Sequence, residues 1–200
     1  FGVVVQAYGP RCAFAIDWLY ALANKLDRNI MVRLVKGAYW DTEIKRAQVM
    51  GLAGYPVFTR KANTDVSYMA CAKKLLSMTD RIYPQFATHN AHTVAAILSM
   101  APNRECFEFQ RLHGMGEQLH EAVRKAEGTR CRIYAPVGAH SDLLAYLVRR
   151  LLENGANSSF VHQLTDEAVP PEAIARDPLE IVETQGSAAN PNIARPLAIF

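Results

Sequence analysis

Five times along this chain a strand-like run of β-branched and aromatic residues gives way to a polar turn and then to helical apolar spacing. Nowhere do two such runs meet across a two-residue hairpin turn. Residues 1–8 (FGVVVQAY) pass through Gly9-Pro10 into an amphipathic stretch, 12–28. Residues 29–40 (NIMVRLVKGAYW) lead into a helical segment, 41–54. Residues 55–61 (YPVFTRK) read as a short strand or an extended loop, with Pro56 arguing for an edge or irregular position. Asn63-Thr64-Asp65 then caps a helix running to about Thr79. Residues 84–90 precede helix 91–100, closed by Pro102. Residues 106–112 precede helix 117–127, stopped by Gly128, and residues 130–137 precede a last helix that starts near Ser141-Asp142 and stops at Gly155. Such alternation requires parallel strands with helical crossovers.

Two architectures satisfy it: an open doubly wound sheet or a closed (β/α)8 barrel. An open sheet that binds a dinucleotide usually carries GxGxxG after its first strand, and no such motif occurs. Instead nearly every strand ends in polar or aromatic residues: Gln6 and Tyr8, Arg33 through Trp40, Thr88-His89-Asn90, Gln110-Arg111, Tyr134. Functional groups at the C-terminal ends of successive strands are what a barrel active site needs. The expected fold is therefore α/β, the C-terminal portion of a (β/α)8, TIM-like barrel. The chain opens on Phe1 and runs straight into a strand, so it is expected to be a fragment lacking the early strands. Residues beyond 163, with five of the ten prolines and the polar run QGSAANPNIARP, read as an irregular linker holding at most a short helix near 171–176 or 179–183.

Half of the residues are hydrophobic and a fifth charged, which excludes a disordered or fibrous chain. A net charge of +3 without a basic stripe gives no nucleic-acid signal. No apolar run approaches the ~20 residues of a membrane span. The four cysteines are scattered, with no CxxC pair, so neither a zinc site nor a disulfide framework is expected.

The last helix places Leu144, Leu147, Val148, Leu151 and Leu152 on one stripe and Tyr146, Arg149, Arg150 and Glu153 opposite. The two guanidiniums can grip a small carboxylate, or simply pair with Glu153 on a solvated face. Thr88-His89-Asn90 can bond a phosphate or ribose, or serve as the cap of helix 91–100. His89, His92 and His113 have no carboxylate or cysteine at ligand spacing, so no metal is expected. Arg33, on an otherwise apolar strand, needs a partner: an anionic cofactor or a carboxylate such as Glu108. Lys36-Gly37-Ala38 forms a tight turn, Tyr39-Trp40 supply flat surfaces, and Thr59-Arg60-Lys61 suit a pyrophosphate. With anion-binding and stacking groups but no evident nucleophile, the site suits cofactor chemistry.

The blocks VRLVKGAYWDTEIKRAQ, YPVFTRKANTDVSY, FATHNAHT, FEFQRLHGMGE and RIYAPVGAHSDLLAYLVRRLLENGANSSF together resemble the proline dehydrogenase domain of bifunctional bacterial proline utilization A, over residues 1–163. The resemblance implies a distorted barrel binding FAD, which oxidises L-proline to Δ1-pyrroline-5-carboxylate by hydride transfer to flavin N5 and passes electrons to a quinone. Arg149 and Arg150 would hold the proline carboxylate, with Tyr134, Leu112 and Tyr39 against the ring and Arg33 at the flavin N5 edge. Gln6, Val35, Gly37, Ala38, Trp40, Thr59, Lys61, Thr88, His89, Asn90, Gln110, Glu153, Ser159 and Phe160 would line the rest of the FAD site. Residues 164–200 would lead to an aldehyde dehydrogenase domain, the only part expected to use NAD. The parent would be a cytoplasmic homo-oligomer, extending to peripheral association with the inner membrane. The alternatives are a monofunctional proline dehydrogenase and a non-catalytic barrel fragment with an assembly role. Alone, the fragment is expected to be inactive.

Overall fold

A computed structural model describes residues 2–155 and 170–199. Its five strands are β1 (Gly2–Gln6), β2 (Ile30–Val35), β3 (Ile82–Ala87), β4 (Glu108–Leu112) and β5 (Arg130–Tyr134). All pair in parallel, in the order β1-β2-β3-β4-β5. Each strand is laid beside its predecessor on the same side, so the order never reverses. A doubly wound sheet reverses at a switch point; steady single winding is that of a (β/α)8 barrel. The sheet is a five-strand portion of that architecture, with β1 and β5 as its open edges among the described residues.

The helices between the strands are α1 (Cys12–Lys25), α2 (Trp40–Val49), α3 (Lys61–Leu76), α4 (Ala91–Met100) and α5 (Glu117–Glu127); α6 (His140–Gly155) follows β5. Side chains alternate across a strand, and the two faces of this sheet have different fates. Ile30, Val32, Leu34, Ile82, Phe86 and Phe109 turn outward into a core completed by Ile16 and Leu19 of α1, Tyr68 and Leu75 of α3, and Ile97 of α4. Phe107 stacks between Phe86 (5.5 Å) and Phe109 (5.3 Å, edge to face). Turned the other way are Val4, Gln6, Arg33, Val35, Gln85, Glu108, Gln110, Arg132 and Tyr134, an inner face rich in polar groups.

Local signals set several boundaries as expected. Asn90 caps α4, its side chain accepting from the Thr93 N–H at 2.9 Å. Gly128, at φ 67°, closes α5 in the left-handed conformation. Two expectations about element ends need correction. Strand β2 ends at Val35 rather than running to Trp40, because Gly37 turns the chain at φ 141° and Trp40 already opens α2. Helix α3 starts at Lys61, with Arg60 in the extended flanking position, so Asn63, Thr64 and Asp65 lie in its first turns and do not cap it. Their polar groups find tertiary partners instead. The apolar stripe of α6 is not buried: Leu144, Leu147, Val148, Leu151 and Leu152 are 44% to 74% exposed.

The segment after Pro170 forms α7 (Pro171–Ile174), α8 (Pro178–Thr184) and a 3₁₀ turn (Pro196–Ala198). Asp177 caps α8 through the Leu179 N–H at 2.9 Å. Residues 178–199 do not run clear of the sheet. They fold back along α3 and the loop before it, where Tyr55 Oη donates to the Ala194 carbonyl at 2.6 Å and Gln185 Nε2 donates to Asn63 Oδ1 at 2.7 Å.

Candidate active site

The C-terminal ends of the strands open into a cavity of 1110 Å³. This is large against the ~300–1,000 Å³ of typical small-molecule sites. The β2–α2 turn, the loop ahead of α3, α6 and the folded-back tail complete its walls.

Strand register assembles one end. Leu112 pairs with Tyr134, and Gln110 with Arg132. From β2, Arg33 reaches across the inner face and lays its guanidinium over the Tyr134 ring at 4.6 Å. Arg149 of α6 stacks at 4.5 Å over Tyr39 and donates from Nη1 to the Tyr39 hydroxyl at 3.2 Å; Arg150 stacks at 5.0 Å over Tyr146. Each of these stacks engages the flat face of a guanidinium rather than its hydrogen-bonding edge. The buried Nε of Arg33 has no hydrogen-bond partner among the described residues.

Glu108 is not the partner of Arg33. Its carboxylate takes Arg132 at 2.6 and 2.9 Å, Gln85 at 2.7 Å and Gln110 at 2.9 Å. Burial pushes this carboxyl up, but the bonds from Arg132, Gln110 and Gln85 outweigh it and hold the group below the usual carboxylate range. Because Gln110 spends its NH₂ on Glu108, its amide oxygen is left to face the cavity as an acceptor.

The other end is cationic. Lys36 and Lys61 share the carboxylate of Asp65, Lys61 at 2.9 Å. Burial raises Asp65, and the two ammonium charges more than offset it, so Asp65 is ionised at neutral pH. For Lys36 burial dominates over the attraction of Asp65, with repulsion from Lys61 added, so its proton is held less firmly than usual. Asp65, facing two cations, is the member of the pair whose charge is secure. Trp40 Nε1 donates to the Phe58 carbonyl at 2.8 Å and the Phe58 N–H to the Tyr8 carbonyl at 2.8 Å. These bonds hold residues 55–60 as a loop and set Thr59 on the cavity wall. Gly37 is needed at its turn: a Cβ there would lie 2.2 Å from the Tyr8 ring.

Between the ends lie Thr88, His89 and Asn90. His89 Nε2 accepts the Leu112 N–H at 3.1 Å, so the ring proton sits on Nδ1. Burial, helped by His120, Arg150 and Arg111, pushes the His89 pKa down to about 4. It is a neutral donor at physiological pH.

Of the residues singled out from sequence, Gln6, Arg33, Val35, Gly37, Ala38, Tyr39, Trp40, Thr59, Lys61, Thr88, His89, Asn90, Gln110, Leu112, Tyr134, Arg149 and Arg150 all line this one cavity. Ser159, Phe160 and the Glu153 side chain lie outside the described residues. Tyr146, which the sequence placed on the same helix face as Arg149 and Arg150, lines the cavity as well, whereas sequence reasoning passed over Asp65 as a cavity residue and Ile181, Gln185 and Asn190 of the tail. Helical spacing could have found Asp65, four residues from Lys61; nothing local marks the tail residues. Among the described residues no group of three or more histidine, cysteine or acidic side chains gathers as a metal site, and no helix is long and apolar enough to cross a membrane.

The family model described as proline dehydrogenase matches residues 1–163. The chain belongs to the proline dehydrogenase family. Among curated relatives, the bifunctional protein PutA of Escherichia coli K12 is 60% identical over 190 residues, 91% of this chain and 14% of that protein. PutA of Rhizobium meliloti is 56% identical over all of this chain and 17% of its own length. Proline dehydrogenase 1 of Bacillus subtilis is 32% identical over 80% of this chain and 47% of that protein. A crystal structure of a Bradyrhizobium japonicum Proline Utilization A mutant superposes with a TM-score of 0.96 at 60% identity, covering all of this chain and 21% of that one. PutA from Bdellovibrio bacteriovorus, inactivated by N-propargylglycine, gives 0.87 at 39% identity, covering 96% and 20%. This family member thus spans 14% to 17% of the length of those two PutA relatives.

Proposed function

We propose that the chain supplies the FAD-binding and substrate-gripping part of a proline dehydrogenase within a larger, bifunctional protein of the PutA kind. The observation that carries this reading is Arg33, half-buried, stacked on Tyr134 and with a buried Nε left unpartnered among the described residues, in a cavity that also holds Arg149 and Arg150.

The residues present fit FAD. Gln110 offers an oriented acceptor, His89 a neutral Nδ1–H donor, and Lys61 and Thr59 a cation and a hydroxyl for phosphate, in a space large enough for a dinucleotide. Bound there, FAD supplies the two-electron acceptor for oxidation of L-proline to Δ1-pyrroline-5-carboxylate by hydride transfer to flavin N5. Arg149 and Arg150 hold the substrate carboxylate, which fixes the ring in one orientation. Tyr134, Leu112 and Tyr39 pack against that ring and exclude water. Arg33 would place its positive charge beside the flavin ring, where it would favour the reduced, more negative form. Residues 1–163 form the FAD-binding domain, while 164–200 lead toward an aldehyde dehydrogenase domain that uses NAD. A quinone takes the electrons in turn. The parent is a cytoplasmic homo-oligomer that meets the inner membrane peripherally.

The test is the visible spectrum of the full-length protein before and after anaerobic addition of L-proline. A flavin band that bleaches supports cofactor, substrate and reaction together, and a protein without flavin absorbance refutes the reading. Arg149→Met then tests the grip. Loss of charge-assisted bonds worth roughly 1.5–3 kcal/mol raises KM for proline about 10- to 100-fold with flavin content unchanged. Lost flavin with unchanged KM in the surviving holoenzyme would defeat that assignment.

A further inference from the structure

The tail is bound to the site in a manner a passing linker does not need. Asn63 Nδ2 donates to the Ala188 carbonyl at 3.0 Å, Arg60 Nε to the Ala189 carbonyl at 3.0 Å, and the Asn190 N–H to Thr59 Oγ1 at 2.9 Å. With the bonds from Tyr55 and Gln185, these tie residues 185–194 to the loop before α3 and to its first turn. As a result Ile181, Gln185 and Asn190 face the same cavity as the strand ends.

The two ends of that cavity suit different parts of one elongated ligand. Arg33 and Tyr134 sit over the inner face of the sheet, whereas Lys61 and Thr59 lie at the start of α3, beside the tail. A mononucleotide flavin seated on Arg33 would be held by the sheet and its strand ends. The second nucleotide of a dinucleotide must extend past the cationic end, and the surface beyond it is the tail.

We propose that this strap, residues 178–194, is the wall against which the distal nucleotide of the cofactor rests, and that it makes the site select a dinucleotide flavin over a mononucleotide. The inference rests on the flavin reading above. Ile181 supplies an apolar surface for a base and Gln185 an amide beside it, held in place by Asn63. The strap is a specificity element supplied by a segment that follows the barrel in sequence.

The experiment titrates the flavin-free full-length protein with FAD and with FMN and compares two variants with wild type. Ile181→Ala/Gln185→Ala alters the wall itself. Tyr55→Phe removes the hydroxyl bonded to Ala194, a residue outside the cavity lining, and so loosens the strap from behind. The expected result is an FAD Kd raised about tenfold or more in the double variant and severalfold in Tyr55→Phe, with the FMN Kd within twofold of wild type in both. Equal weakening of both flavins by Tyr55→Phe, or an unchanged FAD Kd in either variant, overturns the strap's role. Wild-type protein that binds FMN as tightly as FAD also overturns it. Wild-type protein that binds neither flavin refutes the flavin reading first, and the inference falls with it.

Discussion

Gly37→Ala is the most severe small change the cavity can suffer. The added Cβ would meet Tyr8 at 2.2, 2.4 and 2.6 Å from Cδ2, Cγ and Cε2. Carbon atoms rest comfortably at about 3.5 Å or more, so the ring must retreat by roughly 1.3 Å. It has little room: Tyr8 is buried with Ile44 and Val57, and Trp40 and Tyr55 pack against them. Overpacking of that kind costs about 1–3 kcal/mol. The backbone adds its own penalty, since φ 141° is glycine territory and strain there costs roughly 1–3 kcal/mol. Together about 2–6 kcal/mol opposes the native turn, and the chain relieves it by opening the turn that carries Lys36 and Ala38 into the cavity. The expected outcome is weakened flavin binding, by more than tenfold in Kd, together with a lower Tm. Tyr8→Ala separates the two costs. In a double-mutant cycle the steric share disappears on the Tyr8→Ala background while the backbone share remains, giving a coupling of about 1–3 kcal/mol. Wild-type flavin affinity and Tm in Gly37→Ala would refute the turn's role.

Glu108→Ala leaves the buried amides of Gln85 and Gln110 without their acceptor, while half-exposed Arg132 turns to water. At about 1–3 kcal/mol per orphaned amide the loss is roughly 2–6 kcal/mol, read from denaturant midpoints, and Glu108→Gln should recover part of it. Folding holds His89 near pKa 4 against about 6.5 in the unfolded chain, so the unfolded state binds more protons between those values. Stability is therefore fully present above pH 6.5 and falls as pH drops toward 4, by up to roughly 3 kcal/mol; His89→Gln should flatten that part of a Tm-against-pH curve. Asn90→Ala removes the α4 cap and should cost about 1 kcal/mol in thermal melts, with Asn90→Asp retaining most of it.

The barrel-like winding was legible because it depends on short-range information. Period-2 runs gave five strands within a few residues of their ends, and Asn90 and Gly128 marked helix ends through bonds and dihedrals only a few residues wide. The polar strand ends pointed to a site for the same reason, since a costly group on an apolar strand is visible without knowing its neighbours. Arg33 showed where such reading stops: its need for a partner was evident, but the choice between an anionic cofactor and a carboxylate such as Glu108 stayed open, and the Glu108 carboxylate is taken by others. Register decided the matter, placing Glu108 beside Gln85 and next but one to Gln110, within reach of Arg132, while the Arg33 guanidinium lies over the Tyr134 ring.

The sequence by itself determined the alternation, the parallel class, the helix ends set by local caps and the residue types that gather at the strand ends. Tertiary structure alone decided which cation met which carboxylate, that Asn63 and Asp65 would serve the tail and two lysines rather than a helix cap, and that residues 178–199 would wall the cavity. Local patterns act over one turn or one pleat, a range the sequence displays directly. Bonds such as Tyr55 to Ala194 or Thr59 to Asn190 join residues more than 120 positions apart. Their partners are fixed only once the sheet and its helices have brought distant surfaces together.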